Sequence, residues 1–168
     1  MTEIQRYEVL ESDRGFELRS YPAHTLVNIQ SGGDFSSASY GAFGYLAGYI
    51  GGRNQTGQNI AMTAPVLQEK TANGYLVSFV LPDGMANPPA PADARVKLES
   101  REATLMAALR FSGPADQALF EAKVDLLRQA CQKRGLQVLS DPLYARYNGP
   151  WTLPMLRRNE VLLKVSKP

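Results

Sequence analysis

FELRSYPAHTLVNIQSGGDFSSASYGAFGYL, residues 16–46, lies without a gap over VKLESREATLMAALRFSGPADQALFEAKVDL, residues 96–126, 80 positions on. Leu18 meets Leu98, Ser20 meets Ser100, Gly33 meets Gly113, Tyr40 meets Phe120, Ala42 meets Ala122 and Leu46 meets Leu126. Further along, MTAPV at Met62 falls over YNGPW at Tyr147, and YLVSFV at Tyr75 over EVLLKV at Glu160, each 85 positions apart. The identities are few, but the order of structural signals repeats with them.

Each copy begins with two alternating segments of strand character, FELRSY then TLVNIQ, and VKLES then TLMAALRF. A glycine-containing break follows, GGD in one copy and SGP in the other. After the first break Asp34 can cap a helix whose Phe35, Ala38, Ala42, Phe43, Leu46, Tyr49 and Ile50 recur at helical spacing until Gly51 and Gly52. After the second, Ser112 or Gly113 precedes Pro114 near the first helical position, and Leu119, Phe120, Ala122, Val124, Leu126, Leu127 and Ala130 carry a buried face to Gly135. NIAMTAPV with YLVSFVLP, and LYARYN with EVLLKVSK, supply two closing strands apiece. One amphipathic helix over one sheet is half a core. The expectation is an α+β fold: a pseudo-two-fold, duplicated repeat forming a distorted, mostly antiparallel, barrel-like sheet flanked by two α-helices. Half-repeats at about 16–82 and 96–166 make one domain over 1–168, and the proline- and alanine-rich segment 83–95 reads as the linker.

Length and composition fit an ordinary globular chain: 168 residues, 44% hydrophobic and 20% charged. A net charge of +2 gives no reason to expect nucleic acid. No stretch is apolar enough to span a membrane, and the polar start MTEIQRYEVLESD has no signal-like apolar core. A single cysteine, Cys131, makes no demand for an oxidising compartment, so a cytoplasmic protein is expected, its oligomeric state open with a monomer favoured.

Few catalytic constellations survive. His24 and Cys131 are the only histidine and cysteine, too few for a zinc centre, and Cys131 falls inside the second helical pattern. No G-x-S-x-G elbow or phosphate loop is present. His24 reads either as a strand-edge histidine or as an axial ligand to haem iron, a task one histidine can perform. RYNGPWTLPMLRRNEV, residues 146–161, also has two readings. It is a strand end, a loop and a new strand; or it is a ligand rim, with Tyr147, Trp151 and Met155 as a flat apolar wall and Arg157 and Arg158 as forked donors for carboxylates. Glu160, the best candidate for a buried acid, reads more simply as a strand residue paired with Arg157 or Arg158.

YEVLE at Tyr7, FELRSYP, GYIGGRNQ at Gly48, IAMTAPV at Ile60, NPPAPADARVKLESRE at Asn87 and RYNGPWTLPMLRRNEV together resemble the SOUL haem-binding protein family, from about Tyr7 to Lys164. The resemblance implies reversible binding of haem or a related tetrapyrrole, for buffering or transfer and without catalysis. By analogy it assigns Phe43, Leu46 and Met62 to the apolar wall and Arg157 and Arg158 to the propionates. The histidine proposed as axial ligand in some members stands before the tyrosine of an R-x-Y element; here that position is Ser20, between Arg19 and Tyr21, with His24 four residues beyond. An alternative of another class is a GyrI-like small-molecule-binding domain that acts on or hydrolyses a different apolar ligand.

Overall fold

The two strand-to-helix breaks turn on glycine: Gly33 sits at φ +94° and Gly113 at φ +127°, conformations that favour a residue without a Cβ. A computed structural model of the chain describes residues 2–168. In chain order its elements are β1 (Glu3–Ile4), β2 (Glu8–Asp13), β3 (Phe16–Tyr21), β4 (His24–Ser31), α1 (Phe35–Ile50), β5 (Thr63–Ala64), β6 (Val66–Thr71), β7 (Gly74–Val80), β8 (Lys97–Arg101), β9 (Thr104–Phe111), α2 (Gln117–Lys133), β10 (Gln137–Val138), β11 (Leu143–Arg146) and β12 (Asn159–Ser166). The class is α+β, as expected.

The chain forms two compact units. Unit 1 comprises Met1–Gln5 and Ala23–Glu102; unit 2 comprises Arg6–Pro22 and Ala103–Pro168. In unit 1 the strands run β6-β7-β4-β8, all antiparallel, with β1 and β5 forming a two-residue parallel pair. In unit 2 they run β2-β3-β9-β12-β11, again antiparallel, and β10 pairs with β12. Neither run closes on itself. The two orders are equivalent, β8-β4-β7-β6 matching β3-β9-β12-β11. Each order takes one strand from the other half of the sequence, so β3 joins β9 and β8 joins β4.

Helix α1 is held at both ends. Asp34 accepts from the Ser37 backbone N–H while the Ser37 side chain accepts from the Asp34 N–H, a reciprocal cap. Gln68 Nε2, buried on β6, donates to the Phe35 carbonyl at 2.8 Å, and the Tyr49 hydroxyl donates to the Pro89 carbonyl at 2.7 Å. Segment 83–95 is thereby tied to unit 1, along with hydrogen bonds from Gln55 N–H to the Ala90 carbonyl and from Ala92 N–H to the Arg53 carbonyl. The inner face of α1, Phe35, Ala38, Ala42, Leu46 and Tyr49, is buried on β4 and β7, with Phe35 edge-on to Tyr75. Removing the Leu46 side chain to alanine would cost about 2–5 kcal/mol as the cavity fails to collapse.

Helix α2 begins later than the Pro114 signal suggests. Asp116 is its N-cap and accepts from the Ala118 N–H, leaving Pro114 outside the helix. Phe120, Val124, Leu127 and Cys131 form the buried stripe, with Phe120 packed between Phe111 and Tyr144, whereas Ala122 and Leu126, expected on that face, are turned to solvent.

Candidate ligand-binding face

A surface helix ordinarily carries charge on its solvent side. α1 carries none: FSSASYGAFGYLAGYI has sixteen residues and no charged side chain. Its outward face presents aromatic rings instead, with Tyr40 84% exposed, Phe43 half-exposed beside the Phe79 ring at 5.5 Å, and Tyr45 exposed. Tyr40, Phe43 and Gly44 fall at positions three and four apart and so share one stripe. Around Gly44 the space where a Cβ would stand is open to at least 4 Å. Cations flank the C-terminal half of the helix. The Arg95 guanidinium stacks over Tyr45 at 4.3 Å and donates to its hydroxyl at 3.1 Å, while Asp93 holds Arg95 from the other side at 2.8 Å. Those hydrogen bonds pull the Asp93 carboxyl down to about 2. The Arg53 side chain lies against Gly48, where a Cβ would meet its Cδ at 3.1 Å. The result is an uncharged helix surface that exposes aromatic rings and has the guanidinium groups of Arg95 and Arg53 beside it.

On the sheet face away from α1, unit 1 carries a polar cluster. Arg101 bonds to Glu99 and, at 3.0 Å, to Glu69; Asn28 donates to Glu99 at 2.8 Å. His24 is the cross-strand partner of Arg101, so it shares this face. Phe79, the neighbour of Phe43, pairs with Val27, which points to the other face. The register therefore separates His24 from the α1 aromatics.

Unit 2 has a cluster of the opposite polarity on the face away from α2. Glu160 on β12 is 0% exposed and Arg19 on β3 is 1% exposed. Arg19 grips the carboxylate with both terminal nitrogens at 2.7 Å, the Tyr147 hydroxyl donates to it at 2.8 Å, and Arg158 donates from Nε at 3.2 Å and from its terminal nitrogen at 3.0 Å. Burial alone would raise Glu160, but these donors outweigh it and hold the carboxyl below the ordinary glutamate value. Burial pushes the Tyr21 phenol up to about 12, against the pull of Arg19, and raises Tyr147 as well, with Glu160 adding to that rise. Tyr7 completes the group: Arg19 stacks on its ring at 4.1 Å and Arg158 donates to its hydroxyl at 2.8 Å.

The residues singled out from sequence divide between the units. In unit 1, Phe43 is half-exposed and packs edge-on to the buried Phe79, Leu46 is fully buried beneath the helix, and Met62 is half-buried just before β5. In unit 2, Tyr147 points to Glu160, while Trp151 and Met155 stand in solvent. Arg157 donates to the Thr152 carbonyl at 2.8 Å and the Pro150 carbonyl at 3.1 Å, and Arg158 is engaged with Glu160 and Tyr7. The Glu160–Arg158 pairing follows from sequence spacing; Arg19, 141 positions from Glu160, does not. Tyr40 and Tyr45 also escape the periodicity argument, although the absence of charge over residues 35–50 is a sequence signal for them.

Comparison with known proteins adds three findings. Residues 2–164 match the family model described as SOUL heme-binding protein. Heme-binding protein 1 of Sus scrofa is 34% identical over 128 residues, covering 68% of this chain and 65% of the relative, so the match spans slightly less than two thirds of that protein. Heme-binding protein 1 of Xenopus tropicalis is 30% identical over 155 residues, covering 87% and 81%. Among solved structures, the EcmrR C-terminal domain superposes with a TM-score of 0.67 at 17% identity, covering 96% of this chain and 99% of that one. A hydrolase from Listeria innocua gives 0.61 at 16%, covering 94% of each. At such identities the likeness is one of fold.

Proposed function

The chain belongs to the SOUL heme-binding protein family, and from that premise we propose that it binds haem or a related tetrapyrrole reversibly, for buffering or transfer and without catalysis. One observation carries this reading: the outward face of α1 is aromatic and wholly uncharged. The chemistry of that face fits the group. Tyr40 and Phe43 offer rings to a flat macrocycle, Gly44 leaves room for close approach, and Arg95 and Arg53 offer donors to carboxylates such as propionates. Haem held by these residues would supply the iron and its ligand-binding chemistry. His24, on the face away from α1, has no part in this assignment.

Glu160 supports the absence of catalysis. A general acid needs a proton near neutral pH, and Arg19 and Arg158 hold this carboxylate ionised. An internal duplication accounts for the equivalent strand orders of the two units.

The test is a titration with ferric haem followed through the Soret band. Wild type should saturate with one haem per chain. Tyr40→Ala with Phe43→Ala should weaken binding about tenfold or more, some 1.4 kcal/mol, and His24→Ala should leave the spectrum unchanged. Absence of saturable binding in wild type refutes the reading, and loss of binding in His24→Ala alone moves the site off α1.

A further inference from the structure

Arg95 precedes β8 in the chain and reaches back to α1, where three side-chain hydrogen bonds fix its guanidinium. Nε donates to one carboxylate oxygen of Asp93 at 3.1 Å, one terminal nitrogen donates to the other at 2.8 Å, and the second terminal nitrogen donates to the Tyr45 hydroxyl at 3.1 Å. Asp93 is held in turn, since its Oδ1 also accepts from the Arg95 backbone N–H at 2.9 Å. The group is fixed without being hidden: the Arg95 side chain is 63% exposed.

A guanidinium carries five N–H donors. Three are spent on Asp93 and Tyr45, so two remain, one on each terminal nitrogen. Two N–H groups are what a carboxylate takes when both of its oxygens are bound. A second cation lies on the same flank of the helix. Gly48 is three positions from Tyr45 and shares its side of α1, and the Arg53 side chain lies against Gly48. Arg53 is exposed and makes no ion pair among the described residues.

We propose, on the tetrapyrrole reading of this face, that Asp93 and Tyr45 are positioning residues for Arg95: they hold its guanidinium beside the α1 rings with two donors left for a ligand carboxylate, and so make the face select tetrapyrroles with free carboxylates over esterified ones. An unheld arginine gives up its side-chain freedom when it binds, whereas one already fixed on both sides gives up little. An ester offers neutral oxygens, which forgo the charge-assisted part of the hydrogen bond. Asp93 has the same charge as the ligand group, but both of its oxygens are engaged by Arg95, and at this exposed position solvent screens the repulsion that is left.

Ferric haem and its dimethyl ester, titrated separately into the full chain and followed through the Soret band, test the assignment. Wild type should bind haem about tenfold more tightly than the ester. Asp93→Asn keeps the oxygen that accepts from the Arg95 backbone and loses the charge and the second acceptor. It should lower the ratio to about threefold, most of the change falling on haem, with circular dichroism as in wild type. Tyr45→Phe keeps the ring under the guanidinium, loses the acceptor and should move the ratio the same way by less. Arg95→Met should leave a ratio of about two, the share of Arg53. Equal affinity of wild type for haem and ester overturns the proposal while the tetrapyrrole reading stands; no saturable binding of either compound overturns both. Tighter haem binding by Asp93→Asn overturns it as well, because Asp93 would then compete for Arg95 instead of supporting it. Equal losses for haem and ester in Asp93→Asn would leave Asp93 a structural part only, and sink the proposal.

Discussion

On their helix-averted sheet faces the two units gather polar clusters built around opposite charges. Unit 2 centres on a carboxylate, Glu160, which takes five donor contacts from Arg19, Tyr147 and Arg158. Unit 1 centres on a guanidinium, Arg101, which takes Glu99 and Glu69. Glu160 and Arg19 are closed off from water, whereas the side chains of Arg101, Glu69 and Glu99 all keep partial exposure. The difference shows what burial requires. A charge without water needs nearly every lone pair satisfied by protein, while one that keeps some solvent can hold looser and fewer partners.

The comparison breaks most sharply at Arg19. Arg19→Met leaves the Glu160 carboxylate buried without its main partner and should cost about 3–5 kcal/mol in chemical denaturation. A loss below about 1 kcal/mol would mean that Arg158 and Tyr147 suffice. The pH dependence sharpens the same point. Glu160 has a folded-state value below its ordinary one, so its contribution is complete above the unfolded value and disappears as pH falls through the folded value. The stability gap between wild type and Glu160→Gln should accordingly be constant from neutral to mildly acidic pH and close in stronger acid. A gap that persists there would show that Glu160 is not ionised in the fold. Tyr147→Phe removes one hydrogen bond to the buried carboxylate and should cost about 1.5–3 kcal/mol by the same measurement. The smallest effect belongs to unit 1: Arg101→Met should cost about 1 kcal/mol or less, since solvent screens both of its pairs. If Arg101→Met proved as damaging as Arg19→Met, exposure would not be what separates the clusters.

Much of the fold is legible in residues 16–46 and 96–126. Strands β3 and β9 coincide with FELRSY and TLMAALRF, and α1 fills the span from its Asp34 cap to Gly51, because strand segments, caps and glycines act locally. Strand β2 is not legible. EVLESD is exposed along its whole length and has no apolar face to betray it. The start of α2 moves from Pro114 to Asp116 because a side-chain cap there outcompetes the proline signal. The candidate site follows the same division. Helical periodicity identifies the side of α1 that faces the sheet, so Leu46 emerges as firmly as Phe43 although the first is fully buried and the second half-exposed. Arg158 is seen from Glu160 because residues two apart on a strand share a face; Arg19 needs the β3–β9–β12 register, which no local pattern encodes.

The borrowed first strand of unit 2 sets an order of events for a chain made from its N-terminus. β3 ends at Tyr21 and β9 begins at Thr104, 83 positions later. At an ordinary elongation rate of about 5–20 residues per second, the β2–β3 hairpin leaves the ribosome several seconds before the strand that covers its other edge. Arg19 waits longer still, since Glu160 is 141 positions downstream. Unit 1, by contrast, has every segment in hand once Glu102 has emerged. Vectorial synthesis thus favours unit 1 as the first finished piece. The N-terminal hairpin, with its unpaired strand edge, is the part of the nascent chain most in need of shelter from a chaperone.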